Sequence, residues 1–238
     1  MTTTSKTGGH VASSRGAVEI ILALHSLLDC PKDKIVFDVG HQAYAHKLVT
    51  GRLKDFGTLR TYGGLSGFPK PSESPYDVHY SGHASDSLSV ALGLAEARDL
   101  AGADQKVVAP IGDAALSGGM AFEAFNNIGQ AQTPMVINLN DNEMPITHTV
   151  GALMKHLGYM RASSQYRQAR DHVQEHLESS GPVGTAITNF GRTLKESMNQ
   201  LVIPHSMIFD NLGLVCTAPL EGPNIAHLRE TPRAGRTA

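Results

Sequence analysis

The chain has 238 residues, 41% of them hydrophobic, which suits one large or two small globular domains with a sizeable core. Its formal net charge of −2 provides no basic surface for nucleic acid, and its cysteines, Cys30 and Cys216, lack the spacing of a zinc site or a disulfide scaffold. No apolar run reaches the roughly 20 residues of a bilayer-spanning helix and the N-terminus lacks an apolar signal core, so we expect a soluble, cytoplasmic protein with a small-molecule partner, not a membrane or nucleic acid.

The first hundred residues alternate between helical and strand patterns. We predict, in chain order, a helix over 14–28, a buried strand over 35–40, a short helix over 41–51, a loop over 55–82 and a helix over 85–102. Pro31 follows the first helix, Gly51 closes the second, and Ser85 can cap the third. The long loop, rich in Gly, Pro, Ser and Tyr, is of the kind that often carries function.

The alternation continues to about residue 142. It predicts a strand over 106–113, a helix over 118–130 whose Met and Phe residues enter the core, and a strand over 134–142. Strands and helices that alternate at this spacing predict an α/β fold with a parallel sheet covered by helices on both faces. Ligands of such folds bind at the carboxyl ends of the strands.

The pattern changes after residue 150. The sequence of residues 152–202 predicts a helical insertion. Beyond it, the sequence predicts a short helix over 206–213, a strand over 214–219 and the start of a helix over 224–230. We treat residues 1–238 as one domain that contains this insertion.

Oxygen-bearing side chains close two predicted strands. Asp113 ends one, and Asn140 and Asn142 end the next, so these side chains should meet at one edge of the sheet. Such ligands suit Mg²⁺ that bridges a diphosphate, and Gly118 and Gly119 at the next helix start offer backbone N–H groups to the same anion. The alternative is that Asp113 merely caps a helix and that residues 140–142 form a turn.

Three histidines follow a glycine at predicted element ends: His10, His41 and His83. Histidine suits proton transfer near neutral pH and hydrogen bonding to phosphate, although most histidines are surface or structural residues. His25 lies within an apolar helix, where packing is expected. Lys47 and Arg60 are candidates for an anionic substrate, with a solvated surface role as the more ordinary expectation.

Taken in order, the motifs GGHVASSRGAVE, DVGHQAYAHK, SGHASDS, IGDAALSGGMAFEAFNN and LNDNEM resemble the first domain of the 1-deoxy-D-xylulose-5-phosphate synthase family, thiamine diphosphate enzymes of the transketolase group. The resemblance runs from about residue 8 to about residue 228. It implies the diphosphate-binding domain of a transferase that joins pyruvate and glyceraldehyde 3-phosphate with loss of CO₂. It also implies a homodimer, or a separate chain that supplies the missing domains.

The resemblance assigns roles residue by residue. Asp113 and Asn142 match the Mg²⁺ ligands, with Met144 offering its backbone carbonyl. The cofactor positions are His41, Gly82, His83, Ala84, Ala114, Ala115 and Asn142. His10 matches the histidine assigned to proton transfer.

The sequence also departs from the family pattern. Ala114 stands where the family usually has glycine, which would be strained if that position needed positive φ. Pro110 lies in a predicted interior strand, Pro145 and Thr147 replace serines, and Pro223 replaces a histidine. We expect the domain to be incomplete at its C-terminus, because TPRAGRTA does not resemble the family's last strand of this domain. The family also continues into a second domain, with the glutamate that activates the aminopyrimidine, and then a third.

Three functional hypotheses follow from these observations. The first is a synthase fragment that is active only with a pyrimidine-binding domain. The second is a non-catalytic module that binds Mg²⁺-diphosphate or oligomerises. The third is the N-terminal subunit of a split transketolase.

Overall fold

The computed structural model describes residues 2–140, 209 and 211–215. The chain divides into two compact units, Met1–Thr149 with Leu220–Ala238, and Val150–Pro219. In the second unit, Phe209 is buried and helical, and the N–H groups of Leu212 and Leu214 donate to its carbonyl, in line with the predicted short helix. The predicted insertion over 152–202 and the helix start at 224 lie outside the described residues.

The described part of the first unit alternates helices with strands. The helices are α1 (Thr4–Thr7), α2 (Val11–Arg15), α3 (Val18–Leu27), α4 (Tyr44–Lys47), α5 (Ser87–Leu100), α6 (Asp113–Leu116) and α7 (Gly119–Ala131). The strands are β1 (Lys34–Ile35), β2 (Val107–Gly112) and β3 (Val136–Asn140). A π-helical turn (Leu48–Arg52) follows α4 and a 3₁₀ turn (Phe56–Thr58) begins the long loop. No described helix is long and apolar enough to cross a membrane.

The three strands form a parallel sheet, as predicted, and their order in the sheet is β1-β2-β3. The chain stays aligned beyond β1, because the N–H groups of Val36 and Asp38 donate to the carbonyls of Val108 (2.8 Å) and Pro110 (3.2 Å). Pro110 lies in the middle strand, where it has no N–H to return to β1. The strand predicted over 35–40 is therefore paired regularly only as far as Ile35.

Helices cover both faces of the sheet, which confirms the predicted fold class. Val108 of β2 packs with Ile21 and Leu24 of α3 in one apolar cluster. Because side chains alternate along a strand, Val107 and Ala109 face the other way, where α5 contacts β2 and α7. The buried positions of α7 recur at helical spacing and are Ala121, Ala124, Phe125 and Ile128.

Two local predictions are wrong. Ser85 does not cap α5: Asp86 holds the cap position, and Ser85 has a left-handed φ of 73°. Met120 is 52% exposed at the start of α7, because the apolar stripe of that helix begins one residue later. The first predicted helix is real but interrupted, since α2 ends at Gly16 before α3 begins.

A buried polar network anchors the long loop to α3 and α4. Asp77 stands at its centre and accepts a bidentate pair of hydrogen bonds from Arg52 (2.6 and 2.9 Å) and one from the His46 ring (3.0 Å). The Lys70 N–H also donates to Asp77, at 2.7 Å. Burial by itself raises the pKa of the Asp77 carboxyl, but these hydrogen bonds outweigh burial and hold the pKa well below its usual range.

The remaining members of the network extend it in two directions. The His25 and His46 rings share a hydrogen bond of 2.9 Å. Burial together with His46 lowers the pKa of His25 to about 4, and burial lowers the pKa of His46, so both rings stay neutral near pH 7. Lys47 is fully buried and pairs with Glu73 at 2.7 Å. The expected surface role of Lys47 is therefore wrong, because its ammonium lies where only a carboxylate can compensate it.

Replacing Asp77 with asparagine should destabilise the protein strongly. Asp77→Asn keeps the shape of the side chain but leaves the buried Arg52 guanidinium without its counter-charge, a loss of about 3–5 kcal/mol of unfolding free energy. Urea denaturation measures the effect. Asp104→Asn is the matched control, because Asp104 pairs with Lys32 at 2.8 Å on the exposed surface and its loss should not move the midpoint. Equal midpoints for the two variants would contradict this interpretation.

Candidate functional site

The carboxyl edge of the sheet brings together the ends of β2 and β3. Gly112 pairs with Asn140 in the register, and Asp113 follows immediately as the first residue of α6. The Asn140 amide donates to the Gly16 carbonyl at 3.4 Å, which ties this edge to the junction of α2 and α3. The predicted adjacency of Asp113 and Asn140 is thus found, whereas Asn142 and Met144 lie outside the described residues.

Asp113 is half-buried and is not an N-cap, since Gly112 occupies that position. A carboxylate in the first turn of a helix still complements the helix dipole, so its placement fits a structural role as well as a metal ligand. Within residues 2–140, 209 and 211–215, no group of three or more His, Cys, Asp or Glu side chains is arranged to hold a metal ion.

Ala114 fits its backbone without strain. It is exposed within α6 and is not among the residues with positive φ. A methyl group would be costly at this position only if φ were positive, and it is not. Around Gly112 and Gly119 an added Cβ would meet no atom of the described residues within 4 Å.

His10 and His41 meet face to edge, with ring centroids 5.3 Å apart. His10 occupies the N-cap position of α2, and its N–H donates to the Tyr44 hydroxyl at 3.2 Å. A Cβ on Gly9 would lie 2.5 Å from that hydroxyl, so glycine is required beside His10. Arg60 of the long loop brings a guanidinium nitrogen to 3.4 Å from His10 Nδ1.

His41 leaves a polar atom available for a ligand. Its Nδ1 is buried and has no hydrogen-bond partner among the described residues, while its carbonyl accepts from Ser14 at 2.8 Å. Burial lowers the pKa of His41, the neighbouring His10 lowers it further, and Asp38 opposes them. A neutral imidazole with an unsatisfied nitrogen fits the anionic or heterocyclic part of a cofactor, which would satisfy that atom.

The third glycine-histidine pair lies on an exposed stretch, Gly82 to Ala84, next to the end of β1. Val39 donates its N–H to the His83 carbonyl at 3.1 Å. Gly82 has a φ of 142° with nothing within 4 Å of an added Cβ. All three pairs therefore stand at element ends, as predicted, whereas His25 belongs to the Asp77 network.

Sequence reasoning missed Asp38, which holds this edge together. Its carboxylate is 1% exposed and accepts the N–H groups of Ser85 (3.0 Å) and Ser87 (3.2 Å). The available signal was the same as for Asp113, because in IVFDVG an acid again follows a buried strand.

Comparison with known proteins gives consistent results. The family described as 1-deoxy-D-xylulose-5-phosphate synthase matches residues 1–237. The 1-deoxy-D-xylulose-5-phosphate synthase of Carboxydothermus hydrogenoformans is 48% identical over 100% of this chain, and that of Lachnoclostridium phytofermentans is 51% identical over 93%. The chain spans only 38% and 35% of these two relatives.

A solved structure of a transketolase mutant from Pichia stipitis is 17% identical in sequence to this chain. The match covers 61% of this chain and 30% of that protein. The TM-score is 0.47, a similarity too low to support an inference.

The pKa of His41 should rise when His10 is replaced. Protonated His10 repels a second positive charge, so His10→Gln removes one of the causes that lower the pKa of His41, while burial still keeps it below 6.5. An NMR titration of the His41 ring measures the change. His83→Gln, at an exposed position, should leave the His41 titration where it is. A fall in the His41 pKa in the His10 variant would overturn this account.

Proposed function

Since the chain belongs to the 1-deoxy-D-xylulose-5-phosphate synthase family, we propose that it forms the diphosphate-binding part of a thiamine diphosphate-dependent transferase. The reaction joins pyruvate to glyceraldehyde 3-phosphate with loss of CO₂ and supplies precursors of isoprenoids and thiamine. The single observation that carries this proposal is the carboxyl edge of the parallel sheet, where Gly112, the residue before Asp113, pairs with Asn140 and the Asn140 amide donates to the Gly16 carbonyl between α2 and α3.

The described residues divide the work of binding. His41 offers a buried nitrogen that has no partner among the described residues, and Gly82, His83 and Ala84 form an exposed segment whose His83 carbonyl accepts the Val39 N–H. Ala114 and Ala115 lie in α6, whose backbone leads into the N-terminus of α7 and the N–H groups of its first turn. Such N–H groups favour a bound diphosphate.

Mg²⁺ would be held by Asp113 together with Asn142 and the Met144 carbonyl. This set consists only of oxygen ligands, which Mg²⁺ prefers, and it leaves positions for diphosphate oxygens and water. Asp113 is half-buried at the start of α6, directly after the strand end that pairs with Asn140.

When bound, thiamine diphosphate supplies the carbanion chemistry that breaks and forms the carbon-carbon bonds. The protein groups near that chemistry are His10 and Arg60. His10 lies 3.4 Å from the Arg60 guanidinium at an accessible position, where it can deliver or accept a proton. The adjacent guanidinium can attract an anionic substrate.

The partner required for activity is a pyrimidine-binding domain. Because the chain spans little more than a third of its relatives' length, we assign that domain to a separate chain or to a further part of the same protein, acting in a dimer. Catalysis is a property of that assembly, which we place in the cytoplasm.

Asp113→Ala should abolish Mg²⁺-dependent binding of thiamine diphosphate, whereas Ala114→Gly should leave it equal or tighter. The first change removes the carboxylate ligand, and the second removes only a methyl group beside the diphosphate. Calorimetry with and without Mg²⁺ measures both, and circular dichroism establishes that each variant is folded.

Glu123→Ala is the matched control, since Glu123 is an exposed acid of α7 and its loss should not alter cofactor affinity. The assignment fails if Asp113→Ala binds as the wild type does while Ala114→Gly does not bind.

Catalysis is tested by mixing the full chain with a chain that carries the pyrimidine-binding domain. We expect thiamine diphosphate-dependent release of CO₂ from pyruvate in the mixture and none from the chain alone. A mixture that binds the cofactor but releases no CO₂ would reduce the function to that of a binding module. Conversion of a ketose donor without loss of CO₂ would instead identify a transketolase subunit.

A further inference from the structure

Ser85 adopts a backbone conformation that serine rarely occupies. It is 7% exposed and has a φ of 73°, immediately after the loop at residues 82–84 and two residues before α5. A Cβ at this φ carries conformational strain that glycine would avoid. Something in the tertiary structure must therefore hold the residue there.

Two hydrogen bonds fix Ser85 between separate segments. Its N–H donates to Asp38 Oδ1 at 3.0 Å, and its hydroxyl donates to the Ala115 carbonyl at 2.7 Å. That carbonyl also accepts the Gly118 N–H at 3.1 Å, so both of its lone pairs are used. Ser85 thus connects the end of β1 with α6, a helix far away in sequence.

The turn after α6 is shaped to admit the Ser85 side chain. A Cβ on Gly118 would lie 2.1 Å from Ser85 Oγ, so only glycine permits this approach. Gly118 is also the N-cap of α7, a helix of 13 residues. The position of Ser85 therefore determines where α7 begins relative to residues 82–84.

The other hydrogen bonds of this turn are local. Ser117 donates its N–H (3.2 Å) and its hydroxyl (2.7 Å) to the Ala114 carbonyl, three residues earlier. These bonds close the turn but do not fix its distance from the loop at residues 82–84. The hydrogen bond from the Ser85 hydroxyl joins residues that are 30 positions apart in sequence, and it does fix that distance.

We propose that Ser85 is a positioning residue whose hydroxyl holds α6 and the start of α7 at the spacing from residues 82–84 that the cofactor diphosphate requires. Ser85 makes this contribution through the Ala115 carbonyl and without touching the cofactor. The inference rests on the proposed function for the identity of the ligand. The link between the two segments is a property of the ligand-free protein.

The first experiment measures thiamine diphosphate affinity by calorimetry in the presence of Mg²⁺. Ser85→Ala and Ser85→Gly both remove the hydroxyl, and Ser85→Gly also removes the strained Cβ. We expect Kd to rise about threefold to tenfold in both, the range set by one hydrogen bond. Ser117→Ala is the control, because it loses a hydrogen bond of 2.7 Å from its hydroxyl to the Ala114 carbonyl. This variant should keep the wild-type Kd.

The second experiment measures hydrogen exchange without cofactor. The N–H groups of Gly118, Ala121 and Phe122, which bond to carbonyls of this turn, should exchange faster in both Ser85 variants and at the wild-type rate in Ser117→Ala. Thermal denaturation should show Ser85→Gly to be at least as stable as Ser85→Ala, because glycine relieves the strain at this φ.

Wild-type affinity in both Ser85 variants would overturn the inference, as would an equal loss in Ser117→Ala. Weaker binding in Ser85→Ala alone would assign the effect to backbone strain and would also overturn it. If the wild-type protein bound no cofactor, the proposed function would be wrong, while faster exchange in the Ser85 variants would still establish the hydroxyl as the tie between the two segments.

Discussion

The carboxylate of Asp38 is the contact on which the carboxyl edge depends. It is buried in the segment that follows β1 and accepts two backbone N–H groups from the segment that leads into α5. A buried carboxylate is tolerated only when its oxygens are hydrogen-bonded, and N–H groups at a helix start are suitable donors. This contact brings residues 82–84 next to β1, and Ser85 then carries the constraint on to α6. Polar contacts therefore hold the segments at the carboxyl edge together, while the sheet itself is apolar.

The long loop is ordered by a second polar arrangement, centred on Asp77. Two buried cations, Lys47 and Arg52, face two carboxylates, Glu73 and Asp77, so the network is balanced in charge. Such an arrangement is costly to desolvate, and it contributes specificity of placement more than stability. In this chain it fixes the segment that contains Phe68, whose ring lies 6.2 Å from His10. The surroundings of His10 thus depend on residues far from it in sequence.

The sequence predicted the order and type of the elements well where apolar periodicity was strong. The stripe of α7 and the buried run of β2 are both patterns that one segment displays by itself. Predictions failed where a distant partner decided the outcome. Ser85 looked like a cap, yet Asp38 and Ala115 draw it into a different conformation. Lys47 looked like a surface cation, yet Glu73 from the long loop buries it.

The sequence by itself determined the parallel α/β class, the family and the acids and histidines that stand at element ends. These follow from local periodicity and from the order of short motifs, which need no knowledge of long-range contacts. Only the tertiary structure decided that His10 meets His41, that the His41 nitrogen is buried without a described partner, and that Ala114 is unstrained. The reason is physical, because burial, pKa and backbone strain depend on which segments are in contact. Contacts between residues far apart in sequence produce no periodic pattern in the sequence.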